Sequence, residues 1–108
     1  MKRRSSKELQ RAVESAGSAA KKALALYELA LFHDNNSREA KAVPLYQKAL
    51  QLGLNRTHEA MARAWLASSL YKTGRPREAR TQVSVALKLA SRGVLRNFLL
   101  RLKGKLGD

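Results

Sequence analysis

The sequence predicts an all-α fold of about six helices, arranged as helix–turn–helix repeats. Apolar residues recur at three- and four-residue spacing over most of the 108 residues, which is the pattern of amphipathic helices. The two Pro and six Gly lie mostly at predicted breaks, and runs typical of strands are absent. One block of sequence also occurs twice, which is typical of a repeat array.

The most regular repeat lies between residues 60 and 89 and consists of two predicted helices separated by a short break. Gly74 occupies the position after the first helix, where a positive φ is favoured, and Pro76 fits the first turn of the second helix. The core positions of the second helix are Ala79, Val83, Ala86 and Leu87. Two helices this short cannot hide their apolar faces alone, so we expect a stack of repeats.

A second copy of this pattern lies upstream. The four core positions recur 37 residues earlier, at Ala42, Tyr46, Ala49 and Leu50. Segment 32–40 (FHDNNSREA) matches segment 71–79 (YKTGRPREA) at an offset of 39 instead. Because the offset changes, we expect the upstream turn to hold about two extra residues. A period of roughly 34 to 40 residues is typical of helical repeat proteins.

These positions resemble the tetratricopeptide repeat, which combines a large and a small residue in its first helix with a turn glycine and spaced core residues in its second. The matching residues of the downstream repeat are Leu66, Ala67, Tyr71, Gly74, Ala79, Val83 and Ala86. Val83 replaces the usual aromatic residue, and Ser91 replaces the usual closing proline. The resemblance covers roughly residues 20–107. It implies a short right-handed α-solenoid.

The expected organisation is a single helical-repeat domain, 1–108. Its parts are a basic segment with a short helix (1–17), a first repeat (18–54), a second repeat (57–91) and a C-terminal capping helix (93–106). Lys2, Arg3 and Arg4 are expected to form a solvated start. The capping helix is expected to bury one apolar face, formed by Val94, Leu95, Phe98, Leu99, Leu102 and Leu106. A basic amphipathic helix of this kind can also lie on an anionic membrane.

Several helix ends carry capping signals. Ser5 with Glu8, and Asn36 with Glu39, have the spacing of capping boxes. Thr57 is the expected N-cap of the helix that follows the linker.

Pro44 lies inside a predicted helix, 37–52. It should bend this helix near Ala40, because proline removes one backbone hydrogen bond. A break at Ala42 and Val43 is the alternative, which the continuing apolar spacing disfavours.

Composition restricts the function classes. Twenty-two Lys and Arg face eight acidic residues, which gives a formal net charge of +14 and predicts attraction to polyanions at low salt. The absence of cysteine excludes disulfides and thiol chemistry and favours a reducing cytoplasm. The basic start leads into no apolar stretch, so it is not interpreted as a secretory signal, and no segment approaches the ~20 apolar residues of a membrane span.

No set of residues suggests catalysis. His33 and His58 have no acidic or cysteine partners at metal-ligand spacing, and no glycine-rich phosphate loop is present. We therefore expect neither an enzyme nor a bound metal or cofactor.

The resemblance implies that the first helix of each repeat lines a concave groove. The expected groove residues are Met61, Ala64, Ser68, Tyr71, Lys72, Asn97, Arg101 and Lys105. A groove that combines Tyr71 with lysine and arginine should favour an acidic peptide or protein segment. The alternative for Tyr71 is packing against the next helix.

A second basic surface is expected in the C-terminal half. Between residues 75 and 105 there are nine basic residues and one acidic residue, Glu78. The outward-facing stripe is expected to comprise Arg77, Arg80, Lys88, Arg92 and Arg96. It would neutralise phosphates without reading sequence, because no aromatic residues interleave for base stacking. Sequence-nonspecific nucleic-acid binding is therefore the alternative function, and exposed leucines at either end leave a homodimer open.

Overall fold

The computed structural model describes residues 5–107, which form six helices and no strand. The helices are α1 (Ser6–Glu14), α2 (Ala19–Asn35), α3 (Glu39–Leu52), α4 (Arg56–Lys72), α5 (Pro76–Leu89) and α6 (Val94–Leu106). The expected all-α fold of helical repeats is confirmed. The expected solvated start at Lys2, Arg3 and Arg4 lies outside the described residues.

The helices divide into two compact units, which meet in sequence between Leu54 and Asn55. In the first unit, α2 packs against both α1 and α3. In the second unit, α5 packs against both α4 and α6, and α4 also touches α6. All candidate site residues named above belong to the second unit.

The helix bounds repeat with a constant period of 37 residues. Helices α2 (Ala19–Asn35) and α4 (Arg56–Lys72) have 17 residues each, and their starts differ by 37. Helices α3 (Glu39–Leu52) and α5 (Pro76–Leu89) have 14 residues each and show the same difference. The two turns therefore have equal lengths, and the expectation of two extra residues upstream is wrong.

The upstream turn matches the downstream one because Ser37 takes the place of Gly74. Ser37 has φ +59° and Gly74 has φ +80°, so both occupy the left-handed region that closes a helix. In each turn an amide donates to the carbonyl five residues earlier, at 2.8 Å: Arg38 to His33 and Arg75 to Leu70. These are the long bonds of Schellman motifs.

The capping predictions are confirmed only in part. Ser5 Oγ accepts from the Glu8 amide at 3.2 Å, as expected. Thr57 is not the N-cap of α4, because the helix begins two residues earlier and the Asn55 side chain accepts from the His58 amide at 2.9 Å. The side-chain carbonyl of asparagine is among the best N-cap acceptors, which favours a helix that begins directly after Asn55.

The expected capping pair of Asn36 and Glu39 is also wrong. Asn36 is the C-cap of α2, and its side-chain amide donates backwards to the Phe32 carbonyl at 2.6 Å. The residue before α3 is Arg38, which makes no side-chain cap. Asn36 is thus already used to close the preceding helix.

Helix α3 runs through Pro44 without a break, and Ala42 and Val43 are helical and buried. The alternative of a break at these two residues is therefore wrong. The largest side chain buried at 0% exposure is Tyr46, whose hydroxyl donates to Asp34 Oδ2 at 2.8 Å. Burial, then the bond to Asp34, raises the pKa of Tyr46 far above its ordinary value.

Candidate functional site

An aromatic pair joins the two helices of the second unit that carry the expected groove. The Trp65 and Phe98 rings meet edge to face, with centroids 5.1 Å apart and planes at 68°. Both residues are half-buried. Sequence reasoning assigned both residues to apolar packing faces and did not detect the pair, because no local signal relates residues 33 positions apart on different helices.

Most of the expected groove residues are accessible. Tyr71, Lys72, Asn97, Arg101 and Lys105 are exposed. The Tyr71 side chain is 39% exposed, so packing against a neighbouring helix does not conceal it.

Met61 and Ser68 are half-buried, while Ala64 is completely buried and its methyl group cannot reach a ligand. Val94 was expected in the apolar face of α6, but it is 83% exposed, so that expectation is wrong. Val94 is the first residue of α6 and precedes the part of this helix that packs against other helices.

Helical spacing aligns the polar groups of α6. Asn97, Arg101 and Lys105 follow one another at four-residue intervals and therefore lie along one side of the helix. Lys72 lies seven residues after Trp65, on the same side of α4. The second unit thus offers aromatic surface with cations along both contributing helices.

The charge of the chain is concentrated in this unit. Residues 55–107 hold twelve Lys and Arg against two Glu, a formal charge of +10, whereas residues 5–54 hold seven against five, or +2. Both glutamates are already paired. Glu59 accepts from Arg63 at 2.8 Å, and Glu78 binds Arg75 at 2.6 Å, a hydrogen bond that lowers the pKa of Glu78.

The expected polyanion stripe is only partly available. Arg77, Lys88 and Arg92 are exposed, but Arg80 and Arg96 are half-buried and do not face outward as expected. Their guanidinium groups bind backbone carbonyls at the ends of helices, which leave terminal acceptors free.

Arg80 donates to the Leu106 carbonyl at 2.8 Å and so caps α6. Arg96 donates to the carbonyls of Leu87 at 3.2 Å and Ala90 at 3.1 Å and so caps α5. A cation at a helix C-terminus is also favoured by the helix dipole. These two arginines therefore fasten α5 to α6, a role that sequence reasoning missed because the acceptors lie on other segments.

The histidines have structural partners. His33 Nδ1 accepts from Arg38 Nε at 3.0 Å, and burial together with Arg38 and Lys41 lowers the pKa of His33. His58 lies at the N-terminus of α4 beside the Asn55 cap. In residues 5–107 no group of three His, Cys, Asp or Glu side chains could hold a metal ion.

Across the same described range, every helix is too short or too polar to cross a membrane.

Comparison with known proteins identifies the fold family. The family model described as Tetratrico peptide repeat matches residues 23–97, more than half of the chain. No curated protein and no solved structure matches the chain. Repeats of this family generally act as protein–protein interaction modules and are typically non-catalytic. The matched range begins within α2 and extends through α3, α4 and α5 into α6, and the chain therefore belongs to the tetratricopeptide repeat family.

Proposed function

We propose that this protein is a non-catalytic adaptor that binds an acidic peptide or protein segment on the side of α4 and α6 described above. The observation that carries the proposal is that α4 and α6 together present exposed Tyr71, the half-buried Trp65–Phe98 pair and exposed cations. A cytoplasmic setting, which the lack of cysteine favours, belongs to the same proposal.

The aromatic and the basic residues of this surface would have separate roles. Tyr and Trp provide large, rigid contact area that is desolvated on binding, and such residues dominate interface energies. Cations steer an acidic partner and orient it. Helix α6 contains no acidic residue, and both glutamates of the unit are paired with arginines, so little in this unit would repel an incoming carboxylate.

The matching experiment reverses charge at the proposed surface. An array of fluorescent acidic peptides is screened, and the tightest binder is titrated against the wild type and the double variant Lys72→Glu/Arg101→Glu. The control is Lys21→Glu/Lys48→Glu, which changes two exposed lysines of the first unit by the same charge.

We expect the surface variant to weaken binding at least tenfold and the control to change it by less than threefold. Equal losses in both variants would mean that net charge, not this surface, controls binding. Unchanged binding in the surface variant would exclude the proposed site.

Sequence-nonspecific nucleic-acid binding is the second candidate, and the charge of +10 on residues 55–107 favours it. Three exposed cations, Arg77, Lys88 and Arg92, would contact phosphates, whereas Arg80 and Arg96 are engaged at helix ends. Binding to duplex DNA and to RNA across a salt series tests it, with a steep log–log slope as the expected result. Failure to retard either nucleic acid at low salt would exclude it.

A further inference from the structure

A recessed groove lies between α5 and the C-terminal end of α6, within the second unit. Its volume is about 480 Å³. The floor includes Val83 and Leu106, which are only 2% and 6% exposed. Arg80, Ser84 and Lys103 form part of its lining. The residues on α5 span two helical turns, so the groove is about 10 Å long at a rise of about 1.5 Å per residue.

This groove is separate from the proposed peptide surface. Lys103 lies two residues after Arg101 on α6, which turns it by about 160° away from Arg101 around the helix. The two surfaces therefore occupy opposite sides of α6 and can be altered independently.

Helix α6 repeats the pattern of α4, the first helix of a complete pair. The buried residues Leu102 and Leu106 follow Leu66 and Leu70 at an offset of 36. Helix α4 is covered by a second helix, α5, in a close pairing. Among the described helices, α6 contacts α5 and α4.

One position differs between the two helices. Ala67 of α4 is completely buried, as expected for a small residue beneath a packed helix. The corresponding residue of α6, at the same offset of 36, is Lys103, which is exposed and lines the groove. The groove thus has the floor of a helix-packing site and a charged group at its edge.

Among residues 5–107, the charges that line the groove are all of one sign. Neither Arg80 nor Lys103 has a carboxylate partner among the described residues, and the groove lining contains no acidic residue. Arg80 is bound to the neutral carbonyl of Leu106, which leaves its positive charge uncompensated. An occupant that carries carboxylates on both sides of an apolar ridge would match the floor and the rim together.

We propose that the groove between α5 and α6 binds an acidic amphipathic helix of a partner protein. Leucine-type side chains of that helix would fill the groove above Val83 and Leu106. Its flanking carboxylates would pair with exposed Lys103 and would be attracted by the charge of Arg80, which stays bound to the Leu106 carbonyl. This interaction is independent of the peptide surface on α4 and α6.

Two 16-residue helical peptides with identical leucine ridges test the proposal, one with glutamates and one with lysines on the flanks. Fluorescence anisotropy measures their binding to the full chain at physiological salt. The blocking variant is Ser84→Trp, and its control is Gln47→Trp, the exposed residue 37 positions earlier on α3. The charge variant is Lys103→Glu, with Lys48→Glu as the control.

We expect the acidic peptide alone to bind, with at least a tenfold loss in Ser84→Trp and a several-fold loss in Lys103→Glu. Both controls and Lys72→Glu/Arg101→Glu should stay within threefold of the wild type. Circular dichroism verifies that each variant is folded, and Lys103→Glu changes an exposed side chain, so it remains informative if the tryptophan disturbs packing.

The proposal is overturned if neither peptide binds, if both bind equally, or if Ser84→Trp and Gln47→Trp have the same effect. A loss confined to Lys72→Glu/Arg101→Glu would also overturn it, because the acidic helix would then be bound by the surface on α4 and α6.

Discussion

Replacement of Ser37 by glycine should stabilise the protein through the backbone conformation at this position and not through packing. Its φ of +59° lies in the left-handed region, which costs a non-glycine residue about 1–2 kcal/mol. Glycine removes this cost. It also makes the unfolded chain more flexible, which offsets about 0.4–1 kcal/mol of the gain in stability. We therefore expect Ser37→Gly to raise the free energy of unfolding by about 0.5–1 kcal/mol.

The reciprocal variant provides the matched control. Gly74→Ser places a serine at φ +80°, and a Cβ there would meet no atom within 4 Å, so the change is one of backbone conformation and not of steric clash. It should lower the free energy of unfolding by a similar amount. In urea, each change should move the unfolding midpoint by about 0.5 M, in opposite directions, if the slope is about 1–3 kcal/mol/M.

A Ser37→Gly variant that is less stable than the wild type would contradict a conformational cost at Ser37. The two turns would then not be equivalent, and the constant period of 37 residues would not reflect shared backbone geometry. A change in the slope would show that the variant alters the surface exposed on unfolding, and the midpoint shift would then need calorimetric verification.

Three further predictions concern polar side chains that bind structural partners. Arg96→Ala should lower the free energy of unfolding by about 1–2 kcal/mol, because two carbonyls at the end of α5 lose a charged donor, whereas exposed Arg92→Ala should stay within about 0.5 kcal/mol in thermal melts. Tyr46→Phe should cost about 1–2 kcal/mol in urea unfolding, since it removes the bond to Asp34 from a fully buried side chain; an unchanged midpoint would contradict this. The pKa of His33 is lowered in the folded state, so its contribution to stability is present above the ordinary pKa of about 6.5 and declines as the pH falls below it. Urea midpoints at pH 7.5 and 5.5 should therefore differ less in His33→Gln than in the wild type, and equal differences would exclude this role.

Sequence reasoning predicted the helices because their signals are local. Apolar spacing, Gly74 and Pro76 specify two helices and the break between them without any tertiary information. The upstream turn was misjudged because residues 38–40 and 77–79 share the letters REA, which suggested an offset of 39. The structural offset is 37, since Ser37 adopts the conformation of Gly74, and serine gives little sequence signal for a positive φ.

The candidate site could be predicted less completely. Exposed Tyr71 and the basic side of α6 follow from helical spacing, which requires only the phase of each helix. The Trp65–Phe98 pair and the engagement of Arg96 depend on how separate helices approach one another. Spacing along one helix carries no information about such contacts.

We propose that an acidic segment binds to the side of α4 and α6 that carries Tyr71 and Lys72. Chemical-shift mapping of the full-length protein by NMR, with the tightest acidic peptide from the array, tests it most directly. We expect the largest changes at the Trp65 indole, Tyr71, Lys72 and Arg101, in fast or intermediate exchange. Changes centred on Arg77, Lys88 and Arg92, or no change at saturating peptide, would contradict it.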